Sequence, residues 1–161
     1  MDTDDTIDRL QYLAERLIDG DKGYSYAGNS IADVPLRLWC FEKAEQRRGF
    51  AAEINAIIAR LGGDPEDSGS FRGAVHRQWL AFKAEIQEDA AEEVMEECMR
   101  GEEAALEDYR DALDEHGMPA DVEAVLRRQL AAIEQSYAEV GRGSGCSTGW
   151  TDRRGSQPLP R

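Results

Sequence analysis

The stretch DGDKGY, from Asp19 to Tyr24, places two glycines around an acidic residue inside a segment that otherwise has the pattern of one long helix. Apolar residues recur along this segment at steps of three and four, and Asp21 falls on the same stripe. Each glycine costs a helix about 1 kcal/mol relative to alanine, so the pair needs a compensating role. We predict that the glycines let helix backbones approach closely and make room for polar groups inside a helical bundle.

Outward from this stretch, hydrophobic periodicity and turn residues divide the chain into helical segments. No segment shows the alternation typical of a strand, so the fold class is predicted to be all-α. Asp33 is placed to cap the second helix and Pro35 fits its first turn, while two glycines follow its last turn. Long helices are expected over residues 6–32, from the Asp33 cap to 61, over 90–115 and over 121–140, with a shorter helix over 71–86.

The lengths of the connections predict how these helices are arranged. Short links make the first two long helices one antiparallel pair and the last two another, whereas the longer stretch between the pairs holds the short helix. We therefore predict a four-helix bundle of two antiparallel hairpins joined by a helical crossover, all within one domain over residues 1–140. His76 and Arg77 in the crossover could contact an anion, but we expect Trp79 to pin this helix against the bundle.

The C-terminal residues differ from the rest of the chain. From Gly141 onward the composition changes to Gly, Ser, Arg and Pro without an apolar period. Residues 141–161 are therefore predicted to form a disordered tail. Cys146 and Trp150 in this tail could serve as a docking motif, although a tail without a role is the simpler interpretation.

The charge of the chain restricts its partners. The 161 residues include 33 Asp plus Glu against 19 Lys plus Arg, a formal net charge of -14. Such a surface repels phosphate backbones and anionic headgroups, so neither nucleic acid nor a membrane is expected as a partner. The first residues lack the basic and apolar regions of a leader, and no stretch approaches about 18 apolar residues. We predict a cytoplasmic protein, and leave open a homodimer and an unidentified protein partner.

Cysteine usage agrees with that compartment. The three cysteines show no CxxC spacing, and nothing else in the sequence suggests a disulfide framework or a zinc site. Cys40 and Cys98 fall within helices and are expected to be small core residues rather than nucleophiles.

Polar residues interrupt the apolar stripes near the middle of the long helices: Asp21, Gln46, Glu102 and Gln129. A glycine precedes each of the two acids, and the pieces GDKGYSYA and GEEAALEDY suggest a weak internal repeat of a hairpin. Counting outward from the turns places Gln46 near Asp21 and Gln129 near Glu102. These side chains could hold iron or manganese weakly through oxygen ligands, or form a hydrogen-bonded layer without a cofactor, which is the interpretation we favour.

The pieces TIDRL, DGDKGY, LGGDPEDSGSFRGAVHRQW and ECMRGEEAALEDY carry a resemblance to a known family. From about Thr6 to Val140 the chain resembles an uncharacterised bacterial family of ferritin-like four-helix-bundle proteins. The resemblance implies the same two hairpins and crossover, and no established activity. Ferritin-like proteins often build a di-iron site from one Glu on each of two helices and a Glu-x-x-His on each of the other two.

The chain departs from that di-iron pattern. Asp21 and Glu102 could match the two single carboxylates, but the other two helices contribute no histidine. The histidines of the chain are His76 in the crossover and His116 in a turn, and Tyr137 stands where relatives can carry a histidine.

Two functions therefore remain. The first is a non-catalytic binding or stress-associated protein with a degenerate metal site and either no cofactor or weakly bound iron or manganese. The alternative is a metal-binding ferritin-like protein that uses iron or manganese in oxidase or peroxide chemistry. The missing histidine ligands favour the first function, and the ferritin-like architecture keeps the second open.

Overall fold

The computed structural model describes residues 1–67, 74–85 and 91–144, and these residues form helices joined by turns, without a strand. The prediction of an all-α chain is confirmed. Five helices follow one another: α1 (Thr3–Ser30), α2 (Val34–Leu61), α3 (Ala74–Glu85), α4 (Ala91–Asp114) and α5 (Ala120–Ser144).

The helix ends differ slightly from the sequence prediction. At the start of α1, Asp2 and Asp5 form a capping box that extends the helix to Thr3. Asp33 caps α2 as predicted, because its side chain accepts a 2.9 Å hydrogen bond from the Leu36 amide. The last helix, α5, ends at Ser144, which is four residues into the predicted tail. The remaining tail, with Cys146 and Trp150, lies outside the described residues, as do 71–73 and 86 of the predicted crossover helix.

Contacts along their length make α1 and α2 an antiparallel hairpin. Arg48 pairs with Asp21 near the middle, and the Gln11 amide donates a 2.7 Å hydrogen bond to the Asp64 carbonyl at the open end. The second hairpin consists of α4 and α5, which are also antiparallel. There the Tyr109 hydroxyl contacts Gln129 close to the turn, and other contacts follow toward the helix ends.

The two hairpins pack through antiparallel neighbours. Along α1 and α4, Tyr12 donates a 2.9 Å hydrogen bond to Asp108, and Tyr24 contacts Glu102 further along. The contacts between α2 and α5 likewise show that these two helices are antiparallel. Therefore α2 and α4 run in the same direction, and α2 ends at the opposite end of the molecule from the start of α4.

The short helix α3 lies near the end of the molecule at which α1 ends and α4 begins. Its Trp79 is 9 % exposed, and the indole nitrogen donates a 3.2 Å hydrogen bond to the Ser30 hydroxyl at the end of α1. The Phe82 ring lies 5.2 Å from the Trp79 ring, measured between centroids. The prediction that Trp79 pins this helix is confirmed.

Two apolar clusters fill the interior at different heights. The first core cluster lies toward the α4–α5 turn and includes Leu10, Leu13, Ile54, Ile58, Leu126 and Ile133. The second core cluster lies toward the α1–α2 turn and includes Trp39, Cys40, Trp79, Val94, Cys98 and Val140. Cys40 and Cys98 are buried free thiols, as predicted for small core residues.

Candidate functional site

A buried ion pair lies between the two hairpins, at the junction of the two core clusters. Glu102 on α4 is 1 % exposed and Arg47 on α2 is 2 % exposed. The Arg47 guanidinium and the Tyr24 hydroxyl of α1 both donate to the same carboxylate oxygen, Glu102 Oε1. The other oxygen, Oε2, is buried without a hydrogen-bond partner among the described residues. We call these three side chains the Glu102 cluster.

The electrostatics of the Glu102 cluster follow from its burial. Burial, reinforced by the nearby Glu102 carboxylate, raises the pKa of Tyr24 well above its usual range, so the hydroxyl remains a donor. The Arg47 guanidinium carbon also lies 5.9 Å from the centre of the Tyr24 ring, within range of a cation–π interaction. One turn before Glu102, a hydrogen bond with the Cys40 thiol and burial raise the pKa of Cys98. A protonated, buried thiol is a poor nucleophile.

A second polar group, which we call the Gln129 cluster, lies within the first core cluster. Gln129 on α5 is completely buried, and its Oε1 accepts a 2.7 Å hydrogen bond from the Tyr109 hydroxyl. Its Nε2 donates a 2.7 Å hydrogen bond to Glu53 on α2. Arg128 pairs with the other oxygen of Glu53 at the surface. Burial raises the pKa of Tyr109 as well, so its hydroxyl also remains a donor.

The four polar residues predicted from the sequence do not form one layer. Glu102 and Gln129 are buried, as predicted, but they belong to separate clusters. Asp21 is not core-facing: its partly exposed carboxylate accepts hydrogen bonds of 2.9 and 3.1 Å from the exposed Arg48. Gln46 is half-buried, and it accepts a 2.8 Å hydrogen bond from Arg47, which occupies the interior in its place.

Sequence reasoning missed Arg47 and Glu53. A helical stripe advances by three or four residues, so the step from Lys43 can lead to Gln46 or to Arg47. Arginine is seldom fully buried unless it is paired, so the neutral Gln46 is the more obvious choice from the sequence. The signal that could have located Arg47 is the buried acid itself, because a buried carboxylate requires a partner of opposite charge.

The glycines of the opening stretch border a cleft of about 390 Å³ between α1, α3 and α4. Among the described residues, a Cβ atom added at Gly23 or at Gly101 would meet no atom beyond its own helix backbone within 4 Å, so the prediction of close helix approach is wrong for Gly23. At Gly20 an added Cβ would lie 3.4 Å from Arg47 Cγ, an ordinary contact that agrees with room made for a polar side chain. A close approach is found instead at Gly28, where a Cβ would lie 2.7 Å from the Phe41 ring.

Other candidate residues lie at the surface. Tyr137, at the position where a ligand histidine was considered, donates a 3.0 Å hydrogen bond to Glu103. His116 is exposed in the α4–α5 turn, Arg77 is exposed on α3, and the side chain of His76 lies outside the described residues.

A di-iron centre does not fit the donor set. Glu102 already has one oxygen engaged by a guanidinium and a hydroxyl, and Asp21 is paired with Arg48 outside the core. In the described ranges, no three His, Cys, Asp or Glu side chains come close enough together to hold a metal ion. Two amides and one paired carboxylate are poor substitutes for the carboxylates and imidazoles that iron requires.

These features define an all-helical protein of two packed hairpins with a buried ion pair beside a cleft. The chain belongs to the family described as a domain of unknown function (DUF2383), whose model matches residues 5–115. That match includes the whole Glu102 cluster and ends before α5, which carries Gln129. A comparison with curated proteins found no match. Across the described residues, none of the helices is long and apolar enough to cross a membrane.

Proposed function

We propose that this chain is a bacterial, cytoplasmic ferritin-like four-helix bundle that acts by binding rather than by metal-dependent catalysis. The helix directions support the architecture, because α2 and α4 run parallel and the chain between them must cross the length of the bundle. Cys40 and Cys98 contact each other in the core as free thiols. Thiols that stay reduced at such short range support a reducing compartment.

The observation that carries the proposal is the contact between Arg47 and Glu102. In a metal-dependent relative of this architecture, a bound cation would balance the charge of such a carboxylate. Here the Arg47 guanidinium supplies that positive charge from within the chain, and both side chains are almost completely buried. A metal ion at the same oxygen would have to displace the guanidinium and the hydroxyl that already donate to it.

The alternative function, iron or manganese binding with oxidase or peroxide chemistry, is tested by metal-dependent stability. A metal that binds the native state raises the melting temperature by mass action. We propose melting the untagged protein with and without Fe(II) or Mn(II), alongside the double variant Asp21→Asn/Glu102→Gln. The surface control is Glu96→Gln/Glu97→Gln/Glu103→Gln, which removes acidic side chains from α4.

We expect no metal-dependent shift that requires Asp21 or Glu102. A shift that disappears only in the surface control would show ions collected by the acidic face of α4, which is compatible with the proposal. A shift of several degrees that is present in the parent and absent in Asp21→Asn/Glu102→Gln would overturn it and establish a metal site.

A further inference from the structure

The cleft between α1, α3 and α4, which we call the α1–α4 cleft, has the features of a ligand site. We propose that it binds a small organic amine, with the ammonium group directed toward Glu102 and an apolar body between the helices. This inference rests on the proposed function, because it requires that Glu102 holds no metal ion.

The walls of the α1–α4 cleft are largely apolar, and small residues leave space between them. Its volume of about 390 Å³ falls within the range of small-molecule pockets. Gly23 and Gly101 open onto it, and a Cβ at either position would project into free space. The apolar lining side chains include Leu13, Leu17, Ala27, Trp79, Phe82 and Ala105.

The second feature is the incomplete hydrogen bonding of Glu102. Its side chain lines the cleft, and among the described residues no donor reaches the buried Oε2. A buried polar atom without a partner destabilises the native state, more so when the group is charged. A ligand that brings its own N–H donor to this oxygen would remove that penalty. Tyr24 and Arg47 do not compete for Oε2, since both already donate to Oε1.

The charge of the lining favours a cation over an anion. Of the described residues, four carboxylates line the cleft against two guanidiniums. Both guanidiniums already have carboxylate partners, because Arg47 donates to Glu102 and Arg16 donates a 3.1 Å hydrogen bond to Asp108. An anionic ligand would therefore have to break an ion pair, whereas an ammonium group meets an acceptor that lacks a donor. Trp79 also lines the cleft, and aromatic rings of this kind can attract cations.

The test uses three probes of similar size that differ in charge: 2-phenylethylamine, 2-phenylethanol and 3-phenylpropanoate. Each is titrated into the full chain by calorimetry in buffer that contains a metal chelator. We expect the amine to bind at least about tenfold more tightly than the other two probes. Absence of amine binding at millimolar concentration, or equal binding of all three probes, would overturn the proposal.

Three variants locate the binding. Glu102→Gln keeps the size of the side chain but removes its charge, and should abolish the preference for the amine. Gly23→Leu projects into the cleft and should abolish amine binding, whereas Gly49→Leu should bind as the parent does, because Gly49 is an exposed helical glycine that also has open space around it.

Unchanged preference in Glu102→Gln, or unchanged affinity in Gly23→Leu, would also overturn the proposal. Circular dichroism checks that each variant is folded. If Glu102→Gln does not fold, the probe preference of the parent and the Gly23→Leu titration still decide the outcome. Because the chelator removes metals, failure here is distinguishable from failure of the proposed function, which is judged by metal-dependent melting.

Discussion

The Glu102 cluster and the Gln129 cluster lie in the same interior but differ in how complete their hydrogen bonding is. The Gln129 carboxamide uses its oxygen and its nitrogen, and each has a partner at 2.7 Å. In the part of the chain that the structure describes, Glu102 receives two donors at one oxygen and none at the other. A fully satisfied group specifies packing, whereas an incomplete one beside a cleft is free to recognise a ligand. The difference separates a structural cluster from a candidate functional one.

The largest effect is expected from removing the cation of the Glu102 cluster. Arg47→Met should lower the free energy of unfolding by about 3–5 kcal/mol, because it leaves a buried carboxylate without its charge partner. The measurement is urea denaturation of the parent and the variant at neutral pH. Arg48→Met is the matched control, since the adjacent arginine is exposed and its solvent-screened pair with Asp21 should contribute much less. Equal losses in the two variants would mean that the buried pair is no more important than the surface pair.

The next largest effect is expected in α3, which packs near the Glu102 cluster and not near the Gln129 cluster. Trp79→Ala should cost about 3 kcal/mol or more, because a buried aromatic ring and its contact with Phe82 are lost. Thermal denaturation followed at 222 nm would measure it. Leu80→Ala, one residue later and half-exposed, is the control and should be nearly neutral. A neutral result for Trp79→Ala would show that α3 does not pack on the bundle in solution.

A smaller effect is expected in the Gln129 cluster. Tyr109→Phe should cost about 1–3 kcal/mol, because it removes one hydroxyl and leaves the buried Gln129 oxygen without a donor. Tyr137→Phe removes a hydroxyl that donates to Glu103 at the surface, and should be nearly neutral under the same denaturation conditions. If both losses are small, the Gln129 cluster does not contribute the specificity that its geometry suggests.

The stabilities of the parent and of Tyr109→Phe should also depend differently on pH. Burial raises the pKa of Tyr109 in the folded protein, so the folded state holds this proton more tightly than the unfolded state. That stabilisation is fully present below about pH 10, the value for an unfolded tyrosine, and declines as the pH rises further. The difference in stability between the parent and Tyr109→Phe should therefore narrow above about pH 10. A difference that stays constant to higher pH would show that Tyr109 is not buried in its neutral form.

The smallest effects are expected at the glycines. Gly23→Ala should stabilise the protein by up to about 1 kcal/mol, because alanine favours the helix and its methyl group enters open space. Gly28→Ala should be less favourable than Gly23→Ala, because the partly exposed Phe41 ring would have to move away from the methyl group. Melting temperatures of the two variants provide the comparison. A loss of stability in Gly23→Ala would mean that the helices approach each other there and that the cleft is closed.

The sequence predicted local structure well because local structure depends on neighbouring residues. Asp33 and Pro35 at the start of α2, and Gly62 at its end with a φ of 92°, act within a single turn of helix. Glu102 was correctly placed in the core because its neighbours at helical spacing are apolar. These features required no information about other helices.

The composition of the site could not be predicted in the same way, because it depends on contacts between helices. Neighbouring positions on α2 are equally compatible with the stripe, and only the acid on α4 selects Arg47 over Gln46. Asp21 fits the apolar stripe of α1, but the exposed Arg48 holds it at the surface. The empty space beside Gly23 depends on three helices at once, so no spacing within α1 could reveal it.

Iron content after loading tests most directly whether an arginine has taken the place of a metal ion beside Glu102. The untagged protein and Glu102→Gln are incubated anaerobically with excess Fe(II), desalted, and analysed for iron per chain by mass spectrometry. We predict that both proteins retain far less than one iron per chain, in equal amounts. Retention of one or more iron ions per chain by the parent, lost in Glu102→Gln, would contradict this prediction and make Glu102 a metal ligand.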